Sequence, residues 1–147
     1  MTGVVHVEHV YAASPDAVWE VALDFEKLAD LSAGSVTYRG LPAGRVAQGD
    51  VIDFEVSPFG LLPWKPYRVE MVEVDHDARR FVSLEHGAGV KTWRHTLTVV
   101  PEGEGARQID EIEIDAGWMT PVIVRLARRM YAKRDSPRRR LLGLMSP

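Results

Sequence analysis

Between Val36 and Asp115 apolar and polar residues alternate in short runs, whereas from Thr120 to Arg134 the apolar positions recur at helical spacing. The alternating runs Val36 to Gly40, Asp50 to Val56, Tyr67 to Asp75, Arg80 to His86, Lys91 to Val100 and Arg107 to Ala116 predict strands. Turn residues divide them: Pro42 and Gly44, Gly49-Asp50, Pro58 and Gly60, Asp75-His76-Asp77, Gly87 and Gly89, and Pro101 to Gly105. A further strand is predicted over residues 4–12, where valines fall on both faces. Ser14-Pro15-Asp16 then opens a helix, with Ser14 as cap, Pro15 at the first helical position and Val18, Ala22 and Phe25 down one side. A second short helix is expected to begin near Asp24 and to end by Ser32-Ala33-Gly34-Ser35. In the last helix Thr120 is the expected cap and Pro121 takes the first position. Val122, Leu126 and Met130 form the stripe, flanked by Ile123 and Ala127. Ser136-Pro137 predicts a kink or an end there, then a short turn over Arg138 to Leu142 and a frayed last five residues.

Helices and strands do not alternate, so the fold class is α+β. The terminal stripe needs an apolar partner, and the preceding sheet is available. One helix is therefore expected across the open face of a curved antiparallel sheet, and a gap between the two would be a pocket.

A chain of 147 residues is long enough to bury its own core as one domain, residues 1–147, without metals or disulfides. Apolar residues at 46% and charged residues at 27% fit a soluble globular protein, and no apolar run approaches the roughly 18 residues of a membrane span. The N-terminus has no basic leader or apolar signal core, and there are no cysteines, so a cytoplasmic location is expected and thiol chemistry is excluded. The net charge of −3 hides a split: residues 1–119 hold 10 Lys/Arg against 20 Asp/Glu, and residues 120–147 hold 8 against 1. The basic segment is either a docking surface for an acidic partner or membrane, or a solvated helix end whose cations complement the dipole; the second is favoured.

Ala13-Ser14-Pro15-Asp16-Ala17-Val18-Trp19, followed by Leu23-Asp24-Phe25-Glu26-Lys27-Leu28, resembles the opening of many members of the START and birch-pollen-allergen-like (SRPBCC) superfamily. Phe81, Trp93-Arg94-His95-Thr96-Leu97, Gly105, Asp110 and Glu111 resemble a pattern of its polyketide cyclase/dehydrase and lipid transport grouping. The resemblance implies a helix-grip fold: a curved antiparallel sheet of about six to seven strands around a long C-terminal helix, with two short helices after the first strand. It also implies a cavity that serves lipid or hormone carriage, polyketide cyclisation or partner docking, without choosing among them.

The hairpin from Lys91 to Ala116 carries the candidate chemistry. With its turn in Pro101 to Gly105, opposed residues sum to about 205, which sets His95 across from Asp110 on a face shared with Trp93, Leu97 and Ile112; a register one residue different sets His95 across from Glu111, so a carboxylate lies near it in both. An Asp beside a His fixes the imidazole tautomer and raises its basicity, so His95 and Asp110 are the candidate acid and base of a cyclase or dehydratase. The alternative is that they only satisfy one another. Of Glu85 and His86 only one faces inward: parity with Phe81 and Ser83 favours Glu85, parity with Val82 and Leu84 favours His86. Trp64, Tyr67 and Trp118 are candidates for the rim of an apolar pocket, and Leu126 and Met130 for its helical wall.

His6 and His9 point to opposite faces of a strand, and no carboxylate joins His76, His86 and His95 at ligand spacing, so no metal is expected. No phosphate loop or nucleophile elbow is present, and no cofactor is expected. The favoured partner is a small hydrophobic or amphipathic ligand such as a lipid, polyketide or aromatic compound. No nucleic acid is expected as a partner, and a homodimer is left open.

Overall fold

The computed structural model describes residues 2–58 and 61–144. Strand β1 (Gly3–Tyr11) is followed by α1 (Pro15–Ala22), α2 (Phe25–Leu31), β2 (Val36–Arg39), β3 (Val51–Pro58), β4 (Lys65–Asp75), β5 (Arg80–Gly87), β6 (Val90–Glu102) and β7 (Gly105–Asp115). A single 3₁₀ turn at Gly117–Met119 leads into α3 (Thr120–Lys133) and α4 (Asp135–Leu141). The seven strands form one curved antiparallel sheet in the order β1-β7-β6-β5-β4-β3-β2.

Local chemistry sets the two early helices. Ser14 Oγ accepts the Ala17 N–H at 3.1 Å, with Pro15 in the first turn. Asp24 then breaks the helical run with extended backbone and caps α2 by accepting the Glu26 N–H at 2.9 Å. The pair presents Val18, Trp19, Leu23 and Phe25 to the sheet, all buried. The turn glycine expected at Gly60 and three of the five terminal residues expected to fray lie outside the described residues.

The hairpin register differs from the expected one. Glu102 pairs with Gly105 around a two-residue Gly103-Glu104 turn, so His95 lies opposite Ile112, and Asp110 opposite Leu97. The tight turn moves the register by two residues. An even shift preserves which face each side chain occupies, so Trp93, His95, Leu97, Gln108, Asp110 and Ile112 all point to the buried, concave side.

The terminal helix also differs in phase. Val122 and Leu126 are 48% and 38% exposed, and the inward stripe is Thr120, Ile123, Ala127, Tyr131 and Arg134. Stem-to-sheet packing favours this stripe because Gly3 of β1 lets Val124 approach so closely that a Cβ there would overlap Val124 Cγ2. Thr120 does not cap forward: its hydroxyl accepts the Ala116 N–H at 3.0 Å and donates to the Gly117 carbonyl at 2.6 Å, closing the turn before the helix. The break falls at Arg134, two residues before Ser136. Pro137 has no N–H for the Lys133 carbonyl, so the helix bends there and resumes as α4. Beyond α4, Gly143 (φ 75°) and Leu144 return N–H bonds to the Arg140 and Arg139 carbonyls at 3.0 and 2.8 Å, so these two residues form a Schellman end rather than a frayed one.

Two apolar clusters result. The larger joins α1 and α2 to β3 through β6, and the smaller joins α3 to β1 and β7 through Val5, Ile112, Ile114, Ala127 and Tyr131. A cavity lies between them.

Candidate functional site

The cavity has a volume of about 450 Å³. Its apolar wall is built from alternate residues of the sheet, such as Phe54, Val69, Met71, Phe81 and Leu97, because inward positions recur every second residue. Ile123, Ala127 and Met130 of α3 close it from above. Exposed lining residues, Leu126, Arg129 and Lys133 on α3 and Gly34 after α2, mark where it meets the surface.

His95 (5% exposed) and Asp110 (1%) meet on this wall at 2.7 Å between Nε2 and Oδ1. With His95 opposite Ile112, the contact is a diagonal across the β6–β7 ladder, within reach of an imidazole and a carboxylate. Burial by itself would raise the Asp110 pKa. The His95 hydrogen bond, the charges of His95 and Arg138 and a 3.0 Å bond from Gln108 Nε2 outweigh it and hold the carboxyl down to about 2. An ionised Asp110 requires the proton of the 2.7 Å bond to sit on His95 Nε2. In the neutral ring the lone pair is then on Nδ1, which faces the Tyr131 hydroxyl at 3.4 Å. Burial above all pushes the Tyr131 phenol up, so it remains a donor. Tyr131 packs edge-on to His95, with ring centres 5.2 Å apart, and lies 6.3 Å from the Trp93 ring.

Glu85, not His86, faces inward. It accepts hydrogen bonds from the Tyr67 hydroxyl and the Ser83 hydroxyl, both at 2.8 Å. Burial and the Glu85 carboxylate together drive the Tyr67 pKa well above its ordinary value, so Tyr67 stays a donor to Glu85.

Tyr67, Glu85, Trp93, His95, Leu97, Asp110, Leu126 and Met130 are therefore brought to one cavity. Three other candidates are not. Ile112 is fully buried in the smaller cluster beneath α3, against Val5 and Tyr131, because the two-residue shift in register sets it behind the helix. Trp64 lies 38% exposed with the Arg39 guanidinium stacked 4.3 Å over its ring, on the outside of the β2–β3 edge. Trp118 is 87% exposed, since Gly117 (φ 62°) turns the 3₁₀ segment outward.

Two side chains of the cavity wall were not expected there from sequence: Tyr131 was not singled out, and Arg134 was read only as part of the basic segment. Tyr131 and Arg134 belong to the same inward stripe as Ile123 and Ala127. The spacing Thr120, Ile123, Ala127, Tyr131, Arg134 is the signal that would have found them. Arg134 is 7% exposed and Arg138 3% exposed, so part of the basic segment is neither a solvated face nor a docking surface. Arg134 Nη2 donates to Ser32 Oγ at 3.0 Å and its guanidinium carbon stacks 4.3 Å over Tyr131; Arg138 Nη1 donates to the Tyr11 hydroxyl at 2.8 Å.

Among the described residues no cluster of three His, Asp or Glu side chains could hold a metal ion, and no helix is long and apolar enough to cross a membrane.

No curated protein matches the chain. Solved structures do. Over 97% of this chain and 99% of theirs, the allergen Ara h 8.0201 superposes with a TM-score of 0.72 at 9% identity, and a START superfamily protein from Mycobacterium smegmatis with 0.72 at 12%. A truncated norcoclaurine synthase from Thalictrum flavum gives a TM-score of 0.64 at 23% identity, covering 97% of this chain and 94% of that one. These likenesses show a shared helix-grip fold. The sequence itself matches the model of one family over residues 2–134, which span the whole sheet and α3, and the chain therefore belongs to the polyketide cyclase / dehydrase and lipid transport family.

Proposed function

We propose that this protein binds a small, mainly hydrophobic ligand in the cavity between α3 and the sheet. The observation that carries this is the cavity of about 450 Å³, a size suited to an aromatic or short lipid molecule, walled by apolar side chains with a few convergent polar groups. A cavity of this size costs dispersion contacts in the folded protein, and a ligand would restore them.

A second reading has its own support. With the Nε2 proton directed at Asp110, neutral His95 would carry its lone pair on Nδ1, inside an apolar site and beside the Tyr131 hydroxyl. Such a base can take a proton from the carbon α to a ketone. The β-hydroxyl then leaves as water with the proton returned by the imidazolium, and a carbon–carbon double bond forms. This is the dehydration step of a cyclase or aromatase-like enzyme. A docking role for the basic segment is less favoured, because Arg134 and Arg138 turn inward.

One experiment tests both. The purified protein is weighed by native mass spectrometry before and after organic extraction, and the extract is identified and returned to wild-type protein and to His95→Ala. A carrier is expected to show a mass excess that disappears on extraction and to rebind the compound unchanged. A dehydratase is expected to convert it, and His95→Ala to bind it with similar affinity and no turnover. A protein with no adduct, and no saturable uptake of hydrophobic probes, would rule out the ligand-binding reading.

A further inference from the structure

Arg134 is a cation on the cavity wall that Asp110 and Glu85 act on only at a distance, with no carboxylate in direct contact. Its side chain is 7% exposed, and among the described residues it forms no ion pair. A guanidinium offers five N–H donors. One is used by Ser32 Oγ, a neutral acceptor, and the buried Nε has no partner. The three carboxylates that line the same cavity have other partners: Asp110 has His95 and Gln108, Glu85 has Tyr67 and Ser83, and Asp24 has the Glu26 N–H and Lys27. Burying guanidinium donors that stay unfilled is costly, and a ligand carboxylate in direct contact would fill them.

We propose that Arg134 receives a carboxylate of the cavity ligand, so that the bound molecule is an organic acid with a hydrophobic body. This rests on the cavity being a ligand site. The planar guanidinium matches a carboxylate, and its stacking on Tyr131 fixes the fork. A phosphate fits less well, since a dianion would enter a cavity already lined by three carboxylates, Asp24, Glu85 and Asp110. The geometry also orients the ligand. Tyr131 packs against both the Arg134 guanidinium and the His95 ring, at 4.3 and 5.2 Å. An acid held by Arg134 therefore presents the atoms next to its carboxylate to His95 Nδ1 and the Tyr131 hydroxyl. The Trp93 indole N–H, buried and without a partner, is a second donor on the same wall.

The test uses the full-length protein and three probes that share one ring system: 2-naphthoic acid, its methyl ester and 2-naphthyl phosphate, each titrated at neutral pH by calorimetry. The acid is expected to bind about tenfold or more tightly than the ester, the worth of a charge-assisted hydrogen bond. In Arg134→Gln the affinities of the two should converge to within about twofold. Arg138→Gln should keep the preference for the acid. Arg134→Lys, which keeps the charge without the fork, should lower that preference by about threefold and serves if the Gln variant does not fold. Equal binding of acid and ester by the wild type would overturn the carboxylate and leave the cavity as a ligand site. Tightest binding of the phosphate, or a preference lost in Arg138→Gln and kept in both Arg134 variants, would also overturn it. Failure of all three probes to bind would remove this inference together with the reading beneath it.

Discussion

Asp110 is the residue whose charge the site depends on, and its ionisation ties stability to pH. Its pKa is held down to about 2, below the ordinary carboxylate value of 3.8, by partners that exist only in the folded chain. A depressed acid stabilises the fold above its unfolded pKa, and the contribution is lost as pH falls through the folded one. The window is thus from about pH 4 down to about pH 2. Asp110→Asn keeps an acceptor for His95 Nε2 but removes the charge. It should cost about 2 kcal/mol at neutral pH, and the difference from wild type should shrink over that window. Urea unfolding of both proteins from pH 7 to pH 2 measures it; parallel curves would show that Asp110 is not ionised in the folded state. The comparison must be a difference, because Glu8, Asp53, Glu55 and Glu102, all surface carboxylates beside arginines, are lowered too. At this scale the pair was legible: an inward-facing Asp and His on neighbouring strands meet whether they are directly opposed or two residues out of register, as observed. Arg134 was not legible, because an arginine late in a helix reads as a solvated cation until the phase of that helix is known.

One glycine sets how closely α3 can approach the sheet. β1 passes so near the helix that a Cβ on Gly3 would overlap Val124 Cγ2 and come within 3.3 Å of Thr120 Cγ2. Gly3→Ala should therefore push α3 off the sheet at a cost of about 1 to 3 kcal/mol. Val124→Ala removes the obstructing methyl groups, so the double variant should recover most of that loss. A double-mutant cycle in thermal unfolding reads the coupling, and strictly additive effects would mean that the helix does not pack where it is described. Strands and turns were legible because alternation and turn chemistry are local: Ser14 and Asp24 cap as their sequence context predicts. The helical stripe was misphased by one residue because Val122 and Leu126 are as apolar as Ile123 and Ala127. Hydropathy cannot tell a face turned to the sheet from one left exposed. The position of the bend was missed for a related reason, since Pro137 acts on the carbonyl four residues before it rather than on its neighbour.

In the whole molecule the cavity divides the core unequally, and that division bears on how the proposed ligand would enter. Among the described residues the cluster on the α1–α2 side gathers fifteen buried apolar side chains, and the one holding α3 gathers seven. The helix thus has the weaker anchor and also carries the cavity's exposed rim, Leu126, Arg129 and Lys133. Regions with less buried apolar surface open locally at a lower free energy than the global transition. Opening should therefore proceed by α3 lifting from β1 and β7 while the β4–β6 ladder stays paired. In hydrogen exchange, amides of residues 124–133 should exchange faster than those of residues 93–99, although both are hydrogen-bonded within regular structure. A bound acid that contacts Arg134 and the sheet together should slow the helix and leave the strands nearly unchanged, because it bridges the two clusters that the empty cavity separates. Equal protection of helix and strands without ligand would indicate that the two clusters open as one unit, and entry would then have to pass through the rim without displacement of α3.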